Sequence, residues 1–128
     1  MGADGWVTRA RRVDKPWGHE EIFALVSGRF CGKVLHVNAG HALSLQYHER
    51  KDETISVYAG SARLEVGDHE AALETVEMGP GDAVHLAPGT RHRITALTDV
   101  VLLEASTTEL DDVVRLEDRY GREGTSAP

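Results

Sequence analysis

Turn-forming residues cut this chain into short segments along most of its length, and that punctuation restricts its possible folds more than any other feature. Gly28, Ala39-Gly40, Ala59-Gly60-Ser61, Gly67-Asp68, Gly79-Pro80-Gly81, Pro88-Gly89-Thr90 and Thr98-Asp99 each close one run and open the next. Between them lie residues 20–27, 31–38, 43–47, 53–66 (broken at 59–61), 71–77, 83–87, 92–96 and 99–106. Several of these alternate apolar and polar side chains, the period of a half-buried strand. Strands separated by turns at roughly 8–12-residue spacing predict an all-β sandwich or barrel.

The length of 128 residues suits one domain with one core. Aromatic residues are only 5% of the chain, so that core must be built from Val, Leu, Ile and Ala. A net charge of −7 argues against nucleic acid or an anionic membrane as a general partner. Cys31 is the only cysteine, so no internal disulfide forms. No apolar run resembles a signal peptide or a bilayer span, and a cytoplasmic protein is expected. We expect an N-terminal arm at 1–14, the barrel at 15–122 and a flexible tail at 123–128. Residues 109–119 are predicted as a short helix or an extended tail. A small barrel with exposed edges commonly pairs them across a two-fold axis, so a homodimer is expected.

The chemistry concentrates in Gly40 to Gly60 and Gly81 to His92. Gln46 and His48 are two apart and face the same way on a strand. Glu53 follows the polar turn HERKD, and its strand carries Ile55 and Val57 on the same face. A carboxylate there is costly to bury without a cation. With His92 these residues offer two imidazoles, a carboxylate and an amide oxygen, a donor set accepted by one divalent Zn, Mn, Fe, Co or Ni ion. Ligands separated by loops converge only if the sheet curls, which favours a barrel.

These residues resemble the two signature motifs of the cupin superfamily. The first is matched by Gly40, Gln46, His48, Glu53 and Gly60 with every spacing kept and Gln in place of the first His. The second is matched by Gly81-Asp82, Pro88-Gly89 and His92, with Pro88 one place late. SLQYH with its later Glu, KPWG at 15–18 and VVRLEDRYGR at 113–122 are similar to the isomerase domain of type II phosphomannose isomerases. The resemblance implies a double-stranded β-helix, or jelly-roll, barrel. It also implies metal-dependent interconversion of an aldose and a ketose, with a sugar or sugar phosphate as the small-molecule substrate. The nucleotidyltransferase domain that precedes the isomerase domain in bifunctional relatives has no counterpart in this sequence, so nucleotide-sugar synthesis is not expected.

Such a reaction moves a proton between C1 and C2, and the candidate catalytic residues are Lys33, Lys51, Glu53 and His85. Lys33 shares a strand face with Leu35 and Val37 and matches a lysine of the isomerase domain; facing inward, it can hold a phosphate. Lys51 stands where the family carries an arginine implicated in catalysis, which keeps the charge and loses the planar fork. His19 and His85 are candidates for the pocket mouth, and Arg115 or Arg119 for substrate contact. Arg91, Arg93 and Tyr47 are expected to face away from the metal. Two other classes fit the same motifs: a non-catalytic cupin that binds a small ligand such as a sugar, and a metal-cupin oxygenase. An apolar pocket favours the oxygenase, and basic residues at the mouth favour the isomerase.

Overall fold

Nearly every segment with period-two patterning forms a strand. The structure, a computed structural model, describes residues 2–124. A 3-10 turn at Ala3–Trp6 precedes β1 (Arg11–Lys15), β2 (Gly18–Val26), β3 (Phe30–Val37), β4 (Leu45–Tyr47), β5 (Glu53–Ala59) and β6 (Ala62–Gly67). There follow β7 (Glu74–Met78), β8 (Ala83–Leu86), β9 (Arg91–Ala96), β10 (Val100–Ser106) and β11 (Val114–Glu117). A six-stranded sheet runs β1-β2-β3-β10-β5-β8 and a five-stranded sheet runs β11-β4-β9-β6-β7. All pairings are antiparallel. This is the expected all-β jelly-roll barrel.

The inner faces of the two sheets meet in one core. Leu35, Val37, Ile55, Val57, Leu64, Ile94, Val100 and Leu102 are its aliphatic body, with Trp17 from the KPWG turn among them. The alternation of β5 shows how sequence selects the face: Glu53, Ile55 and Val57 are buried while Thr54, Tyr58 and Ala59 are exposed. Gly60 makes the β5–β6 turn possible. It sits at φ +85°, and a Cβ there would lie 2.1 Å from the Asp99 carbonyl oxygen.

Two segments differ from expectation at the ends of the barrel. Part of the predicted N-terminal arm is strand, since Arg11–Lys15 pairs in register with Gly18–Ile22 of β2. It lies at a sheet edge and is mostly exposed, so no apolar alternation marks it. The helix considered for residues 109–119 is not formed; its second half is β11, which pairs with β4 through Val114↔Tyr47 and Arg115↔Gln46. Ladder bonds to β4 satisfy the backbone there, so the tertiary partner overrides local propensity. Residues 125–128 of the expected tail lie outside the described residues.

Candidate metal centre

The candidate ligand residues converge because two sheets face each other across them. β4 belongs to one sheet and β5 to the other, and the HERKD loop crosses between them. Asp112 pins that loop, its carboxylate accepting the N–H groups of Glu49, Arg50 and Lys51 at 3.1, 2.7 and 2.8 Å. Burial would raise this carboxyl's pKa, but the three backbone donors outweigh it and hold it below the usual range. Gln46 lies directly opposite His92 in the β4–β9 ladder. The second-motif turn is tied to the first ligand strand by the Gly89 N–H, which bonds the His48 carbonyl at 2.8 Å.

His48, Glu53 and His92 are buried, and their ligand atoms lie within 4.8 Å of one another. Their outer partners fix how they present themselves. His48 Nδ1 sits 2.5 Å from the Asp112 carbonyl oxygen, and His92 Nδ1 sits 3.0 Å from that of Thr90. A carbonyl only accepts, so both Nδ1 atoms carry hydrogen and both Nε2 atoms turn inward. Burial pushes His92 below its usual pKa, favouring the neutral ring against the pull of Glu53.

Glu53 remains a carboxylate. Its burial favours the acid, but with no ion bound a proton on His48, with the charge of Lys51 and then of His92, lowers its pKa to about 2. His48 Nε2 and Glu53 Oε2 stand 2.6 Å apart, yet neither has a hydrogen-bond partner of good angle. Two buried electron-rich atoms aimed at the same space require a proton or a cation between them. The donor set and its orphaned atoms therefore fit a divalent transition ion.

Gln46 is oriented differently from the sequence expectation. Its amide oxygen accepts from Ser44 Oγ at 2.6 Å, and its NH2 faces His92 Nε2 at 3.4 Å. In this rotamer the oxygen points away from the triad. A half-turn of the amide would exchange the two ends, and Ser44 can accept as well as donate.

A cavity of about 70 Å³ opens above the triad. Lys15, Lys33, Lys51, Arg115 and Arg122 line it against Glu20, Glu53 and Glu104, a formal excess of two positive charges. Lys33 faces inward, 3.5 Å from Glu20 Oε2, and Lys15 lies 3.8 Å from Glu20 Oε1. Lys51 Nζ stands 3.1 Å from Glu104 and 3.7 Å from Glu53. Burial alone would favour the neutral amine, but the two carboxylates dominate and raise the Lys51 pKa. Lys15 is lowered, first by burial and then by Lys33, Arg122 and Arg115, with Glu20 opposing. Arg115 is likewise lowered by burial and by Arg122.

Several sequence candidates lie elsewhere. His85 is not in the cavity: it opposes Thr54 on the outer face of β8, is 62% exposed and bonds Asp52 at 2.7 Å. The strand period puts its neighbours Val84 and Leu86 inward instead. His19 also lies outside, stacked on His36. Arg119 donates to the Gly40 carbonyl at 2.7 Å rather than entering the pocket. Tyr47 faces outward beneath the Arg91 guanidinium, and Arg93 bonds Glu65 and Glu117. Glu20, Glu104, Lys15 and Arg122 were missed. Glu104 carried a readable signal, a carboxylate in step with Val100 and Leu102 on an apolar strand face.

A family model for the cupin domain matches residues 33–105, more than half of the chain. Mannose-1-phosphate guanylyltransferase ManC of Salmonella typhimurium is 33% identical over 118 residues, covering 88% of this chain and 23% of that protein. Xanthan biosynthesis protein XanB of Xanthomonas campestris is 31% identical over 117 residues, covering 88% and 24%. Alginate biosynthesis protein AlgA of Pseudomonas aeruginosa is 30% identical over 115 residues, covering 86% and 23%. The chain thus spans about a quarter of the length of the curated relatives it matches. The capsular polysaccharide assembling protein CapF of Staphylococcus aureus superposes with a TM-score of 0.75 at 20% identity, covering 92% of this chain and 34% of CapF. Oxalate decarboxylase of Bacillus subtilis superposes at 0.69 and 18% identity, covering 84% and 30%. At these identities the structural likeness is one of fold.

Proposed function

The chain belongs to the cupin family, and from that premise we propose that it is a metal-dependent isomerase interconverting the aldose and ketose forms of a sugar phosphate. One observation carries the reading: three inward-facing metal-ligand side chains form the foot of a cavity whose walls hold five basic residues. The similarity to mannose-1-phosphate guanylyltransferase ManC supports a substrate from mannose phosphate chemistry. The basic walls disfavour the oxygenase alternative, which calls for an apolar pocket.

His48, Glu53 and His92 would hold the ion, with Gln46 as a fourth donor after its amide turns. A bound divalent cation supplies Lewis-acid polarisation of the sugar's carbonyl and hydroxyl oxygens. Lys15, Lys33, Arg115 and Arg122 bind the anionic end of the substrate, and Glu20 holds the two lysines in place. Glu53, taken up as a ligand of the ion, is not free to take a carbon-bound proton. Glu104 is the better-placed base, lining the cavity beside Lys51. Lys51 stays protonated between two carboxylates and donates to a substrate oxygen as charge develops there. These assignments replace Glu53 and His85 as proton carriers and keep Lys33 and Lys51 in the site.

The direct test is conversion of mannose 6-phosphate to fructose 6-phosphate by metal-loaded protein, measured against a Gln46, His48 and Glu53 triple alanine variant. Turnover above that control supports the assignment. Thermal stabilisation by the sugar phosphate without product would instead identify a binding cupin. The expected homodimer is a further proposal. Exposed Trp6, Phe23, Leu25 and Phe30 supply apolar surface for it, and sedimentation equilibrium tests it.

A further inference from the structure

We propose that His19, Glu21 and His36 form a second metal site on the outer face of the six-stranded sheet, taking a borderline transition ion such as Ni²⁺, Zn²⁺ or Cu²⁺. The proposal does not depend on the chemistry inside the barrel. His19 and Glu21 are two apart on β2 and project from the same face. His36 lies directly across the β2–β3 ladder from His19. The imidazoles stack with centroids 4.3 Å apart and planes 13° from parallel. Both Nε2 atoms converge on one carboxylate oxygen: Glu21 Oε1 is 2.8 Å from His36 and 3.4 Å from His19. One donor atom from each residue falls within 4.8 Å of the others.

The backbone arranges this cluster in advance. Gly18 precedes His19 at φ +152°, and a Cβ there would lie 2.0 Å from the His36 carbonyl oxygen. Only glycine allows β2 and β3 to approach so closely at that point, and the approach brings one ring over the other. Ordering three side chains is a main cost of building a site, and much of it is met in the folded sheet. Two imidazoles and one carboxylate suit Zn²⁺, Ni²⁺ and Cu²⁺. The side chains are 22%, 38% and 35% exposed, which leaves a route for the ion and room for water on its open side. Asp14 is directly opposite His19 in the β1–β2 ladder and on the same face, where it can extend toward a bound ion.

Chelator-stripped protein is titrated calorimetrically with NiCl2, alongside His19→Gln/His36→Gln, Glu21→Gln, His48→Ala/His92→Ala and His19→Gln/His36→Gln/His48→Ala/His92→Ala variants. All five are checked by circular dichroism. The outer site predicts that His19→Gln/His36→Gln binds one ion fewer than the parent and that Glu21→Gln binds the outer ion at least tenfold more weakly. It also predicts that His48→Ala/His92→Ala retains an ion that is lost when His19 and His36 are replaced as well. If the inner pair variant fails to fold, the first two measurements still decide. One ion in the parent that disappears with His19→Gln/His36→Gln supports the outer site and removes the inner one. Unchanged stoichiometry and affinity in His19→Gln/His36→Gln overturns the proposal.

Discussion

Two clusters in this barrel offer the same donors, two imidazoles and a carboxylate, one inside it and one on the outer face of the six-stranded sheet. Inside, His48, Glu53 and His92 are nearly sealed from water, and the closest pair leaves its facing atoms without a hydrogen-bond partner. Outside, His19, Glu21 and His36 are partly solvated, and the carboxylate oxygen lies within hydrogen-bond distance of both rings. The difference lies in what each cluster endures without an ion. The buried set carries an unmet desolvation cost, whereas the outer set can satisfy itself with water and its own contacts. Burial therefore leaves the inner triad in need of a cation or a proton, and of the charges of Lys51 and Glu104, and leaves the outer one without that need.

That contrast can be broken or sharpened by mutation. Glu53→Gln should lower the proposed isomerase turnover more than about 100-fold, beyond the 10–100-fold typical of losing a residue that only supports a ligand. Steady-state kinetics at saturating metal give the comparison, and no comparable loss is expected from Glu21→Gln. Lys51→Met leaves Glu53 and Glu104 buried with their shared counter-charge removed, and should destabilise the apo-protein by about 3–5 kcal/mol. Urea unfolding checks this.

Acid should act on the inner cluster in two stages. His92 has a lowered pKa in the fold, so the unfolded chain takes up its proton first and stability falls as pH drops below about 6.5. Glu53 has a depressed pKa, so its contribution is present above 4.5 and is lost as pH falls toward about 2. Urea midpoints of parent and Glu53→Gln between pH 7 and 2.5 should converge at the acid end. The smallest effect is expected outside: without metal, His19→Gln/His36→Gln should shift unfolding by no more than about 0.5 kcal/mol. With nickel at 100 times its dissociation constant, the parent should gain about 2.7 kcal/mol that the variant lacks.

The same contrast explains what the sequence revealed. That Gln46, His48, Glu53 and His92 line one cavity was legible because their motif has fixed spacing, and the period of β3 placed Lys33 inward. Which end of the Gln46 amide faces the triad depends on Ser44, and no spacing encodes that. His85 was misplaced because a histidine on the second-motif strand can face either way, and only its pairing with Thr54 decides. β1 and β11 were hidden because their order comes from neighbouring strands rather than from their own alternation. Asp112 looked like one more charge in a mixed tail, and its role in holding the HERKD loop arises from contacts more than 60 residues apart in sequence. The outer cluster went unread because His19 and His36 become neighbours only through the β2–β3 register.

The most direct measurement is X-ray absorption at the metal edge of the ion-loaded His19→Gln/His36→Gln variant, in which the outer site is silent. The account predicts one ion per chain with two imidazole scatterers and a carboxylate oxygen at about 2.0–2.2 Å. A spectrum showing only water oxygens around the ion, or protein that holds no stoichiometric ion, would contradict it.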